Sequence, residues 1–231
     1  MTEALGLSSP PVLPPMRLRT LRGVWRPHND ARLLAQLVVE HGWAAGAEAL
    51  DVFTGSGVLA VCCGLAGARR VTAIDLSRRA LLTTFLNGRH NGVRVRTLRG
   101  NLFEPVNGEQ FDLIVANPPY YPGPAALPRT GIARAWAGGP EGRALIDPFC
   151  ARAPDFLRPG GRVVVVHGSF NGEGATRELL EAGGLQTEVV LRHRGPFGPV
   201  GRAQLGPLSP TDGQTAEDEE TIVICGARPR A

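Results

Sequence analysis

The 231-residue chain contains no lysine, so all 25 of its basic side chains are arginine. They are scattered, as in Arg69-Arg70 and Arg78-Arg79, and no basic block forms. With a formal charge of +4, this balance permits contact with nucleic acid without requiring it. Cysteine is also scarce. Cys62, Cys63, Cys150 and Cys225 form no C-x-x-C pair, which argues against zinc, and no metal-ligand set is predicted. Cys62 and Cys63, among small residues, read as core packing. No apolar run approaches the roughly 20 residues needed to span a bilayer. The N-terminal stretch has Glu3 and prolines at 10, 11, 14 and 15, and so lacks the apolar core of a signal peptide. The expectation is a soluble, cytoplasmic protein without membrane contact.

The length and a hydrophobic content of 43% fit one domain. Residues 1–22, with Ser-Ser-Pro-Pro, Pro-Pro and then alternating Arg and Leu, read as a flexible tail before a single domain at 23–231. Asn29 or Asp30 is placed to cap a helix running to His41. Strand and helix then alternate. Strand 47–53 leads to helix 57–65, strand 71–74 to helix 77–87, and strand 93–98 to a loop at 100–105. Strand 111–116 leads to a long loop and helix 142–157, strand 162–167 to helix 173–181, and strand 187–192 follows. The pattern predicts a doubly wound, mostly parallel α/β sheet with helices on both faces. A seventh strand, 220–225, follows no helix and is reached through a Gly/Pro-rich stretch, 195–216, which predicts antiparallel pairing. Asp218, Glu219 and Glu220 read as a solvated strand entrance.

The most informative residues are Asn117-Pro118-Pro119-Tyr120, directly after the apolar strand 111–116. Ligands of open α/β sheets bind at the C-terminal ends of strands. Neither proline carries an N–H, so the turn offers carbonyls and the Asn117 amide but few backbone donors. That suits a planar –NH2, either a carboxamide or the exocyclic amine of a base, with the Tyr120 ring covering its face.

Strand 47–53 runs into Asp51-Val52-Phe53-Thr54-Gly55-Ser56-Gly57-Val58-Leu59-Ala60. Gly55-x-Gly57-x-x-Ala60 fits the dinucleotide fingerprint, and Asp75 ends the second strand at the matching distance, so an NAD enzyme is one reading. Three features favour another. Asp51 repels a pyrophosphate but attracts the ammonium of S-adenosylmethionine (SAM). Asp75 accepts from the ribose hydroxyls of either cofactor. The amide clamp has no role in hydride transfer.

Over residues 24–192 the chain resembles the class I SAM-dependent methyltransferases, and among them the HemK-like glutamine N5-methyltransferases that modify release factors. The resemblance is carried by Trp25-Arg26-Pro27-His28-Asn29-Asp30, Asp51…Gly57, Asp75, Gly100-Asn101-Leu102-Phe103, Asn117–Tyr120 and Ala135-Trp136-Ala137-Gly138-Gly139. The last piece and the short N-terminus are similar to the branch without a long helical recognition domain. The resemblance implies a seven-stranded Rossmann-like sheet with Asp51 and Gly55 at the methionine portion of SAM and Gly57 among the cofactor-binding residues. It implies Asp75 at the ribose, Asn101 and the Leu102 backbone at the adenine, Asn117 at the acceptor amide, and Asp30 as a polar residue near the cofactor. Two positions depart from the pattern. Phe53 stands where the family usually has Gly or Cys, a substitution shared with RNA methyltransferases. Asn101 stands where it usually has Asp, leaving a weaker, uncharged acceptor.

An amide nitrogen is a poor nucleophile and a sulfonium methyl a strong donor, so the enzyme aligns more than it activates. The expected catalytic residues are Asn117, accepting through its side-chain oxygen, Pro118, accepting through its carbonyl, and Tyr120, stacking on the amide. On that reading the Tyr120 hydroxyl is dispensable. His28, His90 and His193 read as surface residues, and His167 alone is placed to line the pocket. The implied acceptor is the glutamine of a Gly-Gly-Gln loop in a peptide chain release factor. Residues 16–26, 121–141 and 195–216 would make the contacts, with help from a small partner subunit. An RNA or DNA base-amine methyltransferase is the alternative, since the clamp also fits a base. Against it stand the absence of a target-recognition insert and of a basic block.

Overall fold

The computed structural model describes residues 13–205 and 218–230. In chain order the elements are α1 (Asn29–Glu40), β1 (Glu48–Val52), α2 (Val58–Leu65), β2 (Arg70–Asp75), α3 (Arg78–His90), β3 (Val95–Arg99), β4 (Phe111–Ala116), α4 (Ile146–Arg152), β5 (Leu157–Gly168), α5 (Glu173–Ala182), β6 (Gln186–Pro196), α6 (Pro199–Leu205) and β7 (Asp218–Ala227). They form one seven-stranded sheet in the order β3-β2-β1-β4-β5-β7-β6. β1 to β5 run parallel, and β7 is antiparallel to both β5 and β6.

The centre of the sheet is apolar on both faces. Leu50, Leu113, Ile114 and Val163 to Val166 have no more than 0% exposure, as strands covered by helices on two sides require. One layer of the core packs α1 and α2 against the sheet through Leu34, Val38, Leu59 and Cys62. The other packs α4 and α5 through Phe149, Cys150 and Leu180, with Phe103, Phe149 and Phe156 stacked beneath the β3–β4 connection. The strand order reverses between β1 and β4. That switch point opens a crevice at the strands' C-terminal ends, where Phe53 and Asn117 leave the sheet. At the opposite, N-terminal end, Glu48 and Asp112 take up Arg69 and Arg158, and Glu48 also takes Arg70, so the Arg69-Arg70 pair is structural.

Several expectations are corrected. The predicted helix 142–157 is only Ile146–Arg152, followed by a 3-10 turn, because Pro154 has no N–H to continue the ladder. α1 is capped by neither Asn29 nor Asp30: His28 is its N-cap, without a side-chain bond, and Asp30 lies in the first turn. α6 occupies part of the Gly/Pro-rich stretch read as loop. Residues 1–12 of the expected tail lie outside the described residues, as do 206–217. Residues 13–22 are docked: Asn91, the C-cap of α3, and Asn87 within it each accept from and donate to the chain, at Arg17 and Arg19 respectively, at 2.8 to 2.9 Å. Leu13, Met16 and Leu18 pack on the core while Arg17 and Arg19 point outward, which explains the Arg/Leu alternation.

Candidate active site

A cavity of about 750 Å³ fills the crevice at the switch point, within the usual size of a ligand site. Asp30, Gly55, Asp75, Asn101, Leu102, Asn117, Pro118 and Tyr120 all line it, so residues spread over 90 positions converge on one cavity.

The nucleotide-like end is built by β1, β2 and β3. Gly55, at φ +54°, turns its N–H onto Asp75 Oδ2 at 3.0 Å, and the Ser77 N–H donates to Asp75 Oδ1 at 2.7 Å. Each carboxylate oxygen retains a lone pair for a further donor. Burial raises the Asp75 pKa against the pull of these N–H bonds and the nearby Arg134. Among the described residues, Phe53 (φ +65°) and Leu102 (φ +49°) are the only non-glycines with left-handed backbone, and both line the cavity. Bulky residues tolerate that conformation only where the surroundings impose it.

Asp51 and Gly57 are not on the cavity wall, which corrects their expected direct contact. Asp51 lies beneath the glycine loop, where Oδ2 accepts from Thr54 Oγ1 at 2.6 Å and from the Ala60 N–H at 3.0 Å. Its Oδ1 is buried without a partner, and burial pushes its pKa up to about 7. Gly57, at φ +81°, starts α2 so tightly against α3 that a Cβ would come within 2.9 Å of the Thr84 Cα. Both therefore shape the loop from behind.

Another part of the wall is built by the β4 turn. Asn117 donates through Nδ2 to Asp30 Oδ2 at 3.1 Å, and the Tyr120 hydroxyl donates to the same oxygen at 3.1 Å. A carboxylate only accepts, so the pairing assigns Nδ2 to the Asp30 side and leaves Oδ1 without a protein partner among the described residues. Tyr120 is 4% exposed and held between Tyr121 (centroids 4.8 Å apart) and Phe170 (6.1 Å). Its carbonyl accepts from Asn171 Nδ2 at 2.9 Å. Behind Asn171, Arg143 donates to the Thr176 hydroxyl, which donates to His167 Nε2 at 3.0 Å, while His167 Nδ1–H meets the Gly168 carbonyl at 2.8 Å. His167 is thus fully buried away from the cavity, and burial lowers its pKa to about 4. The segment 121–141 is held by the Tyr121 N–H on the Trp136 carbonyl and the Gly138 N–H on the Tyr121 carbonyl, and places Arg134 and Trp136 on the cavity wall.

A second cavity of about 110 Å³ shares Trp25, His28, Asp30, Tyr120 and Tyr121 with the first and is closed by His193 and Glu219. Glu219 is half-buried, not a solvated strand entrance; it accepts from the Tyr121 hydroxyl at 2.8 Å, and burial raises its pKa to about 7. Sequence reasoning missed Glu219, Arg143 and Asn171. Only the unbroken wet-to-apolar pattern of β7 hinted that its first residues enter the sheet. Among the described residues no group of His, Cys, Asp and Glu could hold a metal, and no helix is long and apolar enough to cross a membrane.

The family model described as "Methyltransferase small domain" matches residues 16–134, just over half of the chain. The release factor glutamine methyltransferase of Bordetella pertussis is 36% identical over 170 residues. That similarity covers 69% of this chain but only 62% of the Bordetella protein, so the chain spans under two thirds of this relative. The human methyltransferase HEMK2 is 32% identical over 176 residues, covering 73% of this chain and 82% of HEMK2. Among solved structures, the E. cuniculi Mtq2-Trm112 complex responsible for methylation of the eRF1 translation termination factor aligns with a TM-score of 0.62. It covers 89% of this chain and 99% of that one, at 23% identity, a likeness in fold. The match to the family model, the span shared with HEMK2 and the position of the clamp at the switch point lead to one family: the chain belongs to the methyltransferase small-domain family, as a HemK-like, SAM-dependent class I methyltransferase.

Proposed function

We propose that this enzyme methylates the side-chain amide nitrogen of a glutamine in a protein, namely the Gly-Gly-Gln loop of a peptide chain release factor. The observation that carries the reading is the Asn117 amide on the cavity wall, its NH2 held by Asp30 and its oxygen left without a protein partner among the described residues, followed by two prolines that offer no N–H. The wall of the acceptor end therefore accepts and does not donate, as an incoming –NH2 requires. Names borne by the relatives support the same acceptor.

The residues fit SAM. Asp75 would take the ribose hydroxyls, Asn101 and the Leu102 backbone the adenine, and the Gly55 turn the methionine portion. Asp51, whose Oδ1 lies buried without a partner, would act through that turn, its charge offset by the ammonium. When bound, SAM supplies an electrophilic methyl; the C–S bond breaks as N–C forms, S-adenosylhomocysteine leaves, and one amide proton goes to water. Asn117 Oδ1 and the Pro118 carbonyl hold the two amide hydrogens, set the nitrogen in line, and offset its developing positive charge. The transfer uses no histidine base: His167 is buried elsewhere, and His28, on the cavity wall beside Trp25, makes no bond to Asn117.

Contacts to the partner are proposed at the exposed Arg17 and Arg19 and at residues 121–141. A partner subunit is proposed as well, since the E. cuniculi neighbour works as a complex. The test is mass spectrometry of release factor incubated with enzyme and SAM. One added methyl on the loop glutamine is expected. Asn117→Ala should abolish it while SAM affinity stays within a few-fold. An unmodified glutamine beside clear methylation of RNA or DNA would transfer the assignment to the base-amine alternative.

A further inference from the structure

We propose that Asp30 is the positioning residue of the acceptor clamp, acting through Asn117 and Tyr120 rather than on the cofactor. The inference rests on the amide-transfer reading above. A side-chain amide turned by half a rotation keeps its shape but exchanges oxygen for NH2. With Oδ1 toward the cavity, Asn117 binds an acceptor N–H; with Nδ2 there, it repels one. The side chain alone does not choose.

Asp30 does. Its Oδ1 is tied to the Ala31 N–H at 2.8 Å within the first turn of α1, which fixes the carboxylate. Its Oδ2 then takes Asn117 Nδ2 and the Tyr120 hydroxyl, each at 3.1 Å. Having no proton to give, the carboxylate pairs with only one of the two amide orientations. Its charge, relayed through the amide, also strengthens Asn117 Oδ1 as an acceptor. The Tyr120 hydroxyl, dispensable if the ring merely stacks, becomes the second tether of the same oxygen. α1 and the β4 turn, 87 residues apart, are thereby locked in the register that the acceptor needs.

The test uses the full chain with release factor as acceptor. It compares Asp30→Ala, Asn117→Ala and the double variant by single-turnover transfer rate and by SAM calorimetry. Asp30→Ala should slow transfer roughly 10- to 100-fold, as loss of a charged hydrogen-bond partner does, with SAM affinity changed by less than about threefold. Asp30→Asn should fall between, because one of its flips keeps an acceptor toward Asn117 but sets its NH2 against Ala31. In the Asn117→Ala background, Asp30→Ala should cost less than about twofold more, the group it orients being gone. Additive losses, or SAM affinity falling in step with rate, would overturn the proposal and make Asp30 a scaffold or cofactor residue. Should Asp30→Ala not fold, Tyr120→Phe removes one tether while sparing the carboxylate. It should slow transfer roughly 3- to 10-fold; an unaltered rate counts against the proposal. Wild-type protein that leaves the glutamine unmodified overturns the amide reading and this inference together, whereas a modified glutamine with an unimpaired Asp30→Ala overturns the inference alone.

Discussion

Asp75 is the residue whose loss should be felt most by the cofactor. Its two oxygens already accept the Gly55 and Ser77 N–H groups at 3.0 and 2.7 Å, so the carboxylate both shapes the glycine turn and presents charge to the cavity. On the proposed ribose placement, Asp75→Ala removes two charge-assisted bonds to ribose hydroxyls, each about 1.5–3 kcal/mol. Part of that is recovered because water fills the space and solvates the freed N–H groups. A net loss of about 3–4 kcal/mol corresponds to a rise in the SAM dissociation constant of roughly 150- to 900-fold. Asp75→Asn should not be neutral despite its shape. Its NH2 must face either the Gly55 or the Ser77 N–H, leaving one donor without an acceptor. Titration calorimetry with SAM reads both variants, with circular dichroism as the control for folding. A folded Asp75→Ala protein binding SAM within threefold of wild type would refute the placement of the ribose. Tight NAD binding without SAM binding would refute the cofactor.

Two further outcomes follow from the packing and the buried carboxylates. Gly142 (φ +73°) lies so close to the Tyr120 carbonyl and Asn171 Nδ2 that Gly142→Ala should destabilise the fold by about 2–4 kcal/mol in urea unfolding and displace the clamp; wild-type stability would show that the turn yields. Asp51 and Glu219, both raised to about 7 by burial, bind protons in the folded chain that they release when unfolded, so between about pH 4 and 7 each lowers stability as pH rises. His167, lowered to about 4, works in the opposite sense up to about pH 6.5 and offsets one of them. The melting temperature without ligand should therefore fall steadily from about pH 5 to 7, by the equivalent of about one proton. Glu219→Gln should flatten that fall, and an identical slope in both proteins would exclude Glu219 as its source.

The sheet was legible because its strands are buried on both faces. Phe111–Ala116 and the valines of β5 read as near-continuous apolar runs, and those runs can occupy only the middle of a covered sheet. Turn chemistry placed the site for a related reason. Gly55, Asn101 and Asn117 stand shortly beyond a strand and Asp75 ends one, and the reversal of strand order brings those ends to one crevice. Local pattern failed where a proline competes with it. The spacing of Leu145, Ile146, Phe149, Cys150 and Phe156 suits one long helix, yet Pro154 divides it into α4 and a tighter turn. The alternation of Arg and Leu before residue 22 looked like a tail because its partners, Asn87 and Asn91, lie some 70 residues on.

The same distance separates what the clamp contains from what holds it. Asn117 and Tyr120 announce themselves by adjacency to a strand end. Asp30, Asn171 and Glu219 do not, since each meets the turn from another element and nothing in its own neighbours marks the encounter. Asp51 shows the converse. Its position in the glycine loop suggested a ligand contact, but a carboxylate one residue before the strand end points under the turn, where the Ala60 N–H and Thr54 hydroxyl reach it first. Hydrogen bonding is short-ranged and directional, so a polar side chain's role is fixed by the donor that arrives within about 3 Å, and that donor is chosen by the fold. Residues whose partners are local, such as Asp75 with Ser77, stand at the strand end where the sequence put them. Those whose partners are distant became intelligible only when α1, β5 and β7 were set around the β4 turn.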